Sequence, residues 1–189
     1  MSMKIDFNNW KTFRFSDIFL VQKGFYNKKP ESSGEGNIPF IGATDSNNGV
    51  TSYHSIEDIE VASKTGDENN TTIEKKLFPP HAVCVTNNGS VGYAYYQGRS
   101  FTCSHDVNPL YRKDGVPFNS KTGLFVATVI MQDRYRWQYG RKWRPSRMIN
   151  STIDLPATKD AQPDWDFMET YMRMLHEKLA QNIAYIIDH

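Results

Sequence analysis

The stretch Arg134-Tyr-Arg-Trp-Gln-Tyr-Gly-Arg-Lys-Trp-Arg-Pro-Ser-Arg147 carries six basic side chains and four aromatic rings without a single acid. A guanidinium donates in a planar fork that matches the oxygens of a phosphate, and interleaved rings give it stacking partners. Such a cluster can hold a polyanion backbone, with an affinity that falls steeply as salt rises. Arg141, Lys142, Arg144 and Arg147 are the candidate backbone contacts, with Lys28 and Lys29 as a further basic pair upstream. Two polar loops supply a different chemistry: Gly42-Ala-Thr-Asp-Ser-Asn-Asn-Gly49 and Thr86-Asn-Asn-Gly-Ser90. Asn presents a donor and an acceptor together and matches an adenine edge in bidentate fashion. Thr44, Ser46, Asn47, Asn48, Asn87, Asn88 and Ser90 are therefore candidates for reading bases, although each is also an ordinary turn residue.

Catalytic patterns are weak by comparison. Asn108-Pro-Leu-Tyr111 approximates the Asn-Pro-Pro-Tyr motif of adenine-N6 methyltransferases but departs at its third position, and no glycine-rich loop follows a strand to hold a methyl donor. Glu74-Lys75-Lys76, with Asp58 or Asp67 upstream, fits a nuclease Asp…Glu-x-Lys pattern only because that pattern is permissive. His54, His81, His105, His176 and His189 lack metal-ligand spacing, and no Ser or Cys sits in a nucleophile motif. The expectation is a non-catalytic chain with no metal and no cofactor.

Composition narrows the setting. The 189 residues are 39% hydrophobic and 23% charged, too apolar for a disordered chain and about the size of one domain with a short appendage. Two cysteines are too few for a disulfide framework or a four-cysteine zinc site. No apolar run approaches the ~20 residues needed to cross a bilayer. The opening Met1-Ser-Met-Lys-Ile-Asp-Phe7 lacks a signal-peptide core, so the expected location is the cytoplasm, with no membrane partner. The formal net charge is only +1, but it is unevenly spread: residues 148–189 hold 3 basic and 7 acidic side chains, against 19 and 14 in residues 1–147. A basic body with an acidic tail suits a domain that presents one positive face.

These residues need elements to position them. From Trp10 to about Phe118 short β-rich runs alternate with glycine-punctuated turns. His81–Thr86, Val91–Tyr96 and Ser100–Cys103 are separated by Asn-Gly and Gln-Gly turns and read as a meander. Residues 63–76 read as a polar surface excursion. After Phe118 the period changes: Asn119 or Ser120 caps a helix running through Leu124, Phe125, Val129 and Met131 to about Tyr139, with Gly140 as its stop. A last helix opens at Pro163-Asp164. Its apolar positions Met168, Met172, Leu175, Leu179 and Ile186 step by a/d spacing, with Asn182 as a polar register residue in the seam. This stripe predicts a helix interface, either with a second chain or within its own domain. The expected architecture is α+β: a twisted β-meander, partly barrel-like, with flanking helices and a long C-terminal helix. The expected boundaries are residues 1–160 for the main domain and 161–189 for the interface helix.

Taken in order, Trp10-Lys-Thr-Phe-Arg-Phe-Ser-Asp-Ile-Phe19 followed by Gly24, Ile38-Pro-Phe-Ile-Gly42, Val85-Thr-Asn-Asn-Gly-Ser-Val-Gly92, Ser104-His-Asp106 and Ile153-Asp-Leu-Pro156 resemble a target-recognition half of the specificity (S) subunit of type I restriction-modification systems. The resemblance implies a domain that reads one half of a bipartite sequence in double-stranded DNA. It also implies a long helix that spaces two such domains and docks on a methyltransferase (M) subunit, with a restriction (R) subunit in the larger complex. The usual specificity subunit has two domains and two long helices, and this sequence has room for one of each. The departure suggests a half-subunit that forms a homodimer through its last helix, a partner of a fused or separate methyltransferase, or a fragment of a longer chain. Two other classes remain open from the residues alone: a carbohydrate-binding module, which would use the same strands and rings without salt-steep DNA binding, and a small restriction nuclease.

Overall fold

The computed structural model describes residues 5–67, 71–137 and 141–187. The chain opens with β1 (Trp10–Arg14), a single helical turn α1 (Phe15–Ile18) and β2 (Phe19–Val21). It continues through β3 (Ile38–Ile41), β4 (Val50–His54) and a short α2 (Ile56–Val61) to β5 (Ala82–Thr86), β6 (Ala94–Gln97), β7 (Thr102–Cys103) and β8 (Val107–Arg112). Then come α3 (Ser120–Gln132), α4 (Pro145–Met148), β9 (Thr152–Pro156) and the 23-residue α5 (Trp165–Ile187). The class is α+β with a long terminal helix, as the sequence predicts. Among the described residues the strands form three small sheets and no closed barrel: β2-β8-β5-β6 antiparallel, β4-β3-β7, and β1 paired antiparallel with β9. The meander breaks at its third run, because β7 leaves β6 and joins β3 in parallel while β8 returns beside β5.

The sheet around β5 explains its sequence. Every residue from Ala82 to Thr86 is buried. Val83 and Val85 point into a large core with Phe15, Phe19, Leu110 and Phe125, while Ala82 and Cys84 point into a second core with Ile41, Phe78 and Phe101. Successive strand side chains face opposite ways, so an unbroken apolar run is what a strand between two cores requires.

Asn119 caps α3 as expected: its side chain accepts from the backbone of Lys121 and Thr122, and the Thr122 hydroxyl returns the bond. The helix ends at Gln132, earlier than its periodicity suggests, and tightens into a 3-10 turn at Asp133–Arg136 that feeds side chains to tertiary partners. Tyr139 and Gly140 lie outside the described residues. Asp164 caps α5 by accepting from Phe167 N at 2.9 Å. The first turns of α5 continue the main core: Met168 is fully buried, and Tyr171 and Met172 pack beside it. Beyond them the same stripe runs exposed, with Leu175 at 41%, Leu179 at 57% and Ile186 at 72% of full exposure. Asn182 lies on this exposed stretch too. One a/d pattern thus serves two surroundings.

The excursion at 63–76 is not wholly at the surface. Lys76 is fully buried, and its ammonium donates to the carbonyls of Ile59 (3.1 Å), Glu60 (2.8 Å) and Ala62 (2.7 Å). It satisfies the C-terminal end of α2, where carbonyls lack intrahelical donors.

Candidate nucleic-acid interface

Loop 42–49 is a closed and anchored unit. Gly42 N donates to Gly49 O (2.9 Å), and Gly49 N donates to Ser46 O (3.0 Å). Asn47 and Asn48 both hold φ of 51°, the left-handed region that Asn tolerates better than other side chains. Three side chains fasten the loop to its surroundings. Tyr95 Oη donates to Thr44 O (3.1 Å), Gln97 Nε2 to Asn48 O (2.9 Å), and Asn48 Nδ2 to Tyr96 O (3.2 Å). Thr44 and Ser46 share a hydroxyl contact of 3.1 Å, and Asn47 Nδ2 donates to Val50 O. Ser46, Asn47 and Asn48 stay exposed and Thr44 half-buried.

The second loop sorts its two asparagines. Asn87 is 3% exposed: its amide nitrogen donates to Asn108 Oδ1 (2.7 Å) and His105 O (3.1 Å), and its backbone nitrogen to Asp106 O. Asn87 therefore holds the loop from beneath and does not present an edge to a base, contrary to the sequence expectation. Asn88 is half-buried, tied through Nδ2 to Asp106 Oδ1 (3.0 Å). Ser90 is half-buried and its carbonyl accepts from Thr86 Oγ1. The loops approach each other closely: a Cβ added at Gly89 would meet Ala43 at 3.7 Å.

The basic segment joins the same surface from the other side. Trp143 N donates to Asn87 O (3.1 Å), and its indole nitrogen donates to Ser151 Oγ (2.8 Å). Trp143 is a core residue, set edge-on against Phe15, and Trp137 stacks on it at 4.8 Å and 10°. Around this pair Arg141, Lys142, Arg144 and Arg147 are exposed, and none of the four has an ion-pair partner among the described residues. Arg136, Arg141 and Arg147 line an open cleft of about 590 Å³ with Trp137 and Asn150. Arg134, which sequence reasoning left out of the site, lies over the Tyr93 ring at 4.6 Å. Lys28 and Lys29 are not brought into this group. They border a separate cleft of about 410 Å³ that also contains Asp58 and Asp67, where their charge is locally balanced.

The residues behind the catalytic patterns have structural tasks. Asn108 donates to Gln22 O (2.7 Å) and accepts from Asn87, and Tyr111 Oη donates to Pro79 O. Lys76 faces carbonyls in the interior and so is not presented beside Glu74. Burial pushes the Cys84 and Cys103 thiols well up, away from reactive thiolates. A row Ser52–His54–Asp58 exists, with Ser52 Oγ 2.8 Å from His54 Nε2, but His54 is fully buried and its Nδ1 is 4.0 Å from Asp58, too far for a hydrogen bond. Among the described residues no His, Cys, Asp or Glu cluster could hold a metal, and no helix is long and apolar enough to cross a membrane.

An α+β domain with anchored polar loops beside unpaired cations, continued by a half-exposed helix, defines a module built to meet other macromolecules. Residues 8–185 match the family model described as the type I restriction modification DNA specificity domain, and the chain belongs to that family. It is 34% identical over 172 residues to the specificity subunit S.BcgI of a type II restriction enzyme from Heyndrickxia coagulans, covering 91% of this chain and 45% of that subunit. It therefore spans about half the length of this curated relative. Its fold is similar to the type I S subunit from M. genitalium (TM-score 0.54, 15% identity, 95% of this chain and 42% of that one). It is likewise similar to the HsdS subunit from Thermoanaerobacter tengcongensis (TM-score 0.52, 15% identity, 92% and 39%).

Proposed function

We propose that this chain is a non-catalytic DNA sequence-recognition module of a restriction-modification system, reading one half of a bipartite site in double-stranded DNA. The observation that carries the reading is the junction of two anchored polar loops with a run of unpaired cations, through the bond from Trp143 N to Asn87 O, in a chain of the DNA specificity family. Arg141, Lys142, Arg144 and Arg147 grip phosphates and set the register. Thr44, Ser46, Asn47, Asn48, Asn88 and Ser90 approach base edges. The partners are a methyltransferase subunit and, in the larger complex, a restriction subunit. The exposed outer half of α5, through Leu175, Leu179, Asn182 and Ile186, is the surface by which two copies pair or one copy docks. The setting is the cytoplasm, where DNA lies and both cysteines stay as free thiols.

Gel-shift titration over a salt series tests the recognition reading: affinity should fall linearly on a log–log plot, with a preference for some duplexes at every salt concentration. Equal affinity for all duplexes, or no salt dependence, would sink it. The oligomer reading is tested by light scattering on the full chain and on Leu179→Glu/Ile186→Glu. Deleting everything from Asp164 onward would remove Met168 from the core and confound the result.

A further inference from the structure

Arg134 is held unlike every other arginine of the basic segment. Its guanidinium lies on Tyr93, and its backbone presses on Gly92, where φ is +81° and an added Cβ would come within 2.9 Å of Arg134 Cβ. Glycine at 92 is thus what lets Arg134 approach. Tyr93 in turn stacks on Tyr95 at 6.5 Å and 16°, and Tyr95 Oη holds Thr44 O. A guanidinium and two rings follow one another, and the second ring is hydrogen-bonded to loop 42–49. Arg136, two residues on, is ion-paired with Asp133, whereas Arg134 has no ion pair among the described residues.

We propose that Arg134 is a specificity-determining residue that reads a guanine edge in the major groove. This rests on the recognition reading above and goes beyond it by naming a base and its reader. Guanine presents two acceptors, O6 and N7, at the spacing of a guanidinium fork. A phosphate can be approached from many directions, which suits side chains as exposed and unstacked as Arg144. A guanidinium already held over a ring has given up part of its freedom before binding, and that pre-organisation favours a contact whose angle matters. Tyr93 and Tyr95 link the guanidinium to Thr44, in the loop that carries Asn47 and Asn48.

The test is binding-site selection from a randomised duplex library with the full chain, followed by affinities for the selected duplex and for duplexes with single G·C pairs changed to A·T. Wild type should enrich a motif with at least one fixed guanine, whose replacement weakens binding about 5- to 150-fold. Arg134→Ala and Arg134→Lys should lose the preference at that one position and keep the rest of the motif. Tyr93→Leu should blunt the preference and Tyr93→Phe retain it, with unchanged melting temperatures. An unchanged motif with uniformly weaker binding, and a salt slope smaller by about 1, would make Arg134 a phosphate contact and overturn the proposal. Unchanged motif and affinity would overturn it as well. A wild-type chain that binds DNA yet enriches no motif would overturn the recognition reading itself and the proposal with it.

Discussion

The loop face and the outer half of α5 are both exposed, and they are held in opposite ways. On the loop face polar side chains are fixed in advance: Tyr95, Gln97 and Trp143 tie the backbone of Thr44, Asn48 and Asn87. On α5 an apolar stripe is exposed among charged neighbours, with Leu175, Leu179 and Ile186 open to solvent past Met172. A polar surface that must discriminate has to be rigid before its ligand arrives, since ordering costs would otherwise erase the small differences between bases. An apolar stripe needs no such preparation, because burial is non-directional and rewards any complementary surface. The two regions show one rule from opposite ends: a polar surface is costly to order and is fixed in advance, whereas an apolar one can stay bare until something covers it.

The contrast can be broken where it is strongest. Met168→Ala, at the buried end of α5, should cost about 2–5 kcal/mol in urea unfolding by opening a cavity between α3 and α5. Leu179→Glu, on the same stripe, should stay within about 0.5 kcal/mol in the monomer and change only the solution mass or partner binding. Equal losses at both positions would mean that the stripe is not divided. On the loop face Asn87→Ala should cost about 1–3 kcal/mol, since it strips Asn108 and His105 of a donor, whereas Asn88→Ala should leave stability nearly unchanged and relax discrimination at one base pair. Arg144→Ala should weaken binding to all duplexes and lower the salt slope by about 1.

The smallest effect concerns His54. Burial lowers its pKa below 6.5, with the charge of Asp58 opposing, so the folded chain keeps the imidazole neutral while the unfolded chain charges normally. That contribution to stability is intact above about pH 6.5 and drains as pH falls below it. Melting temperature should therefore decline from pH 7 to 5, and His54→Gln should flatten part of the slope. Asp58, held low chiefly by the Ser55 amide, acts in a separate window below its ordinary 3.8.

The sequence made local features legible and long-range ones opaque. Asn119 declares its cap within three residues, and the a/d steps of α5 declare a helix with one apolar stripe. The stripe does not say that Met168 and Met172 pack at home and Ile186 does not, because a heptad encodes a face and not its partner. Asn87 and Asn88 are the same residue type in one turn. Only His105, Asp106 and Asn108, nearly twenty residues away, decide which is buried. Lys76 looked solvated because its acceptors are backbone carbonyls, which leave no trace in residue types. The family pattern was readable from the order of short motifs, whereas Arg134 was overlooked because its partner Tyr93 lies far earlier in the chain, just before β6.

Three of the bonds that hold the loops share one property: Tyr95, Gln97 and Trp143 address the carbonyl oxygens of Thr44, Asn48 and Asn87. Every amino acid carries that oxygen. Side chains at Thr44, Ser46 and Asn88 are consequently open to exchange while these carbonyl anchors stay made. A scaffold held this way accepts single substitutions in its exposed loop side chains without losing its fold.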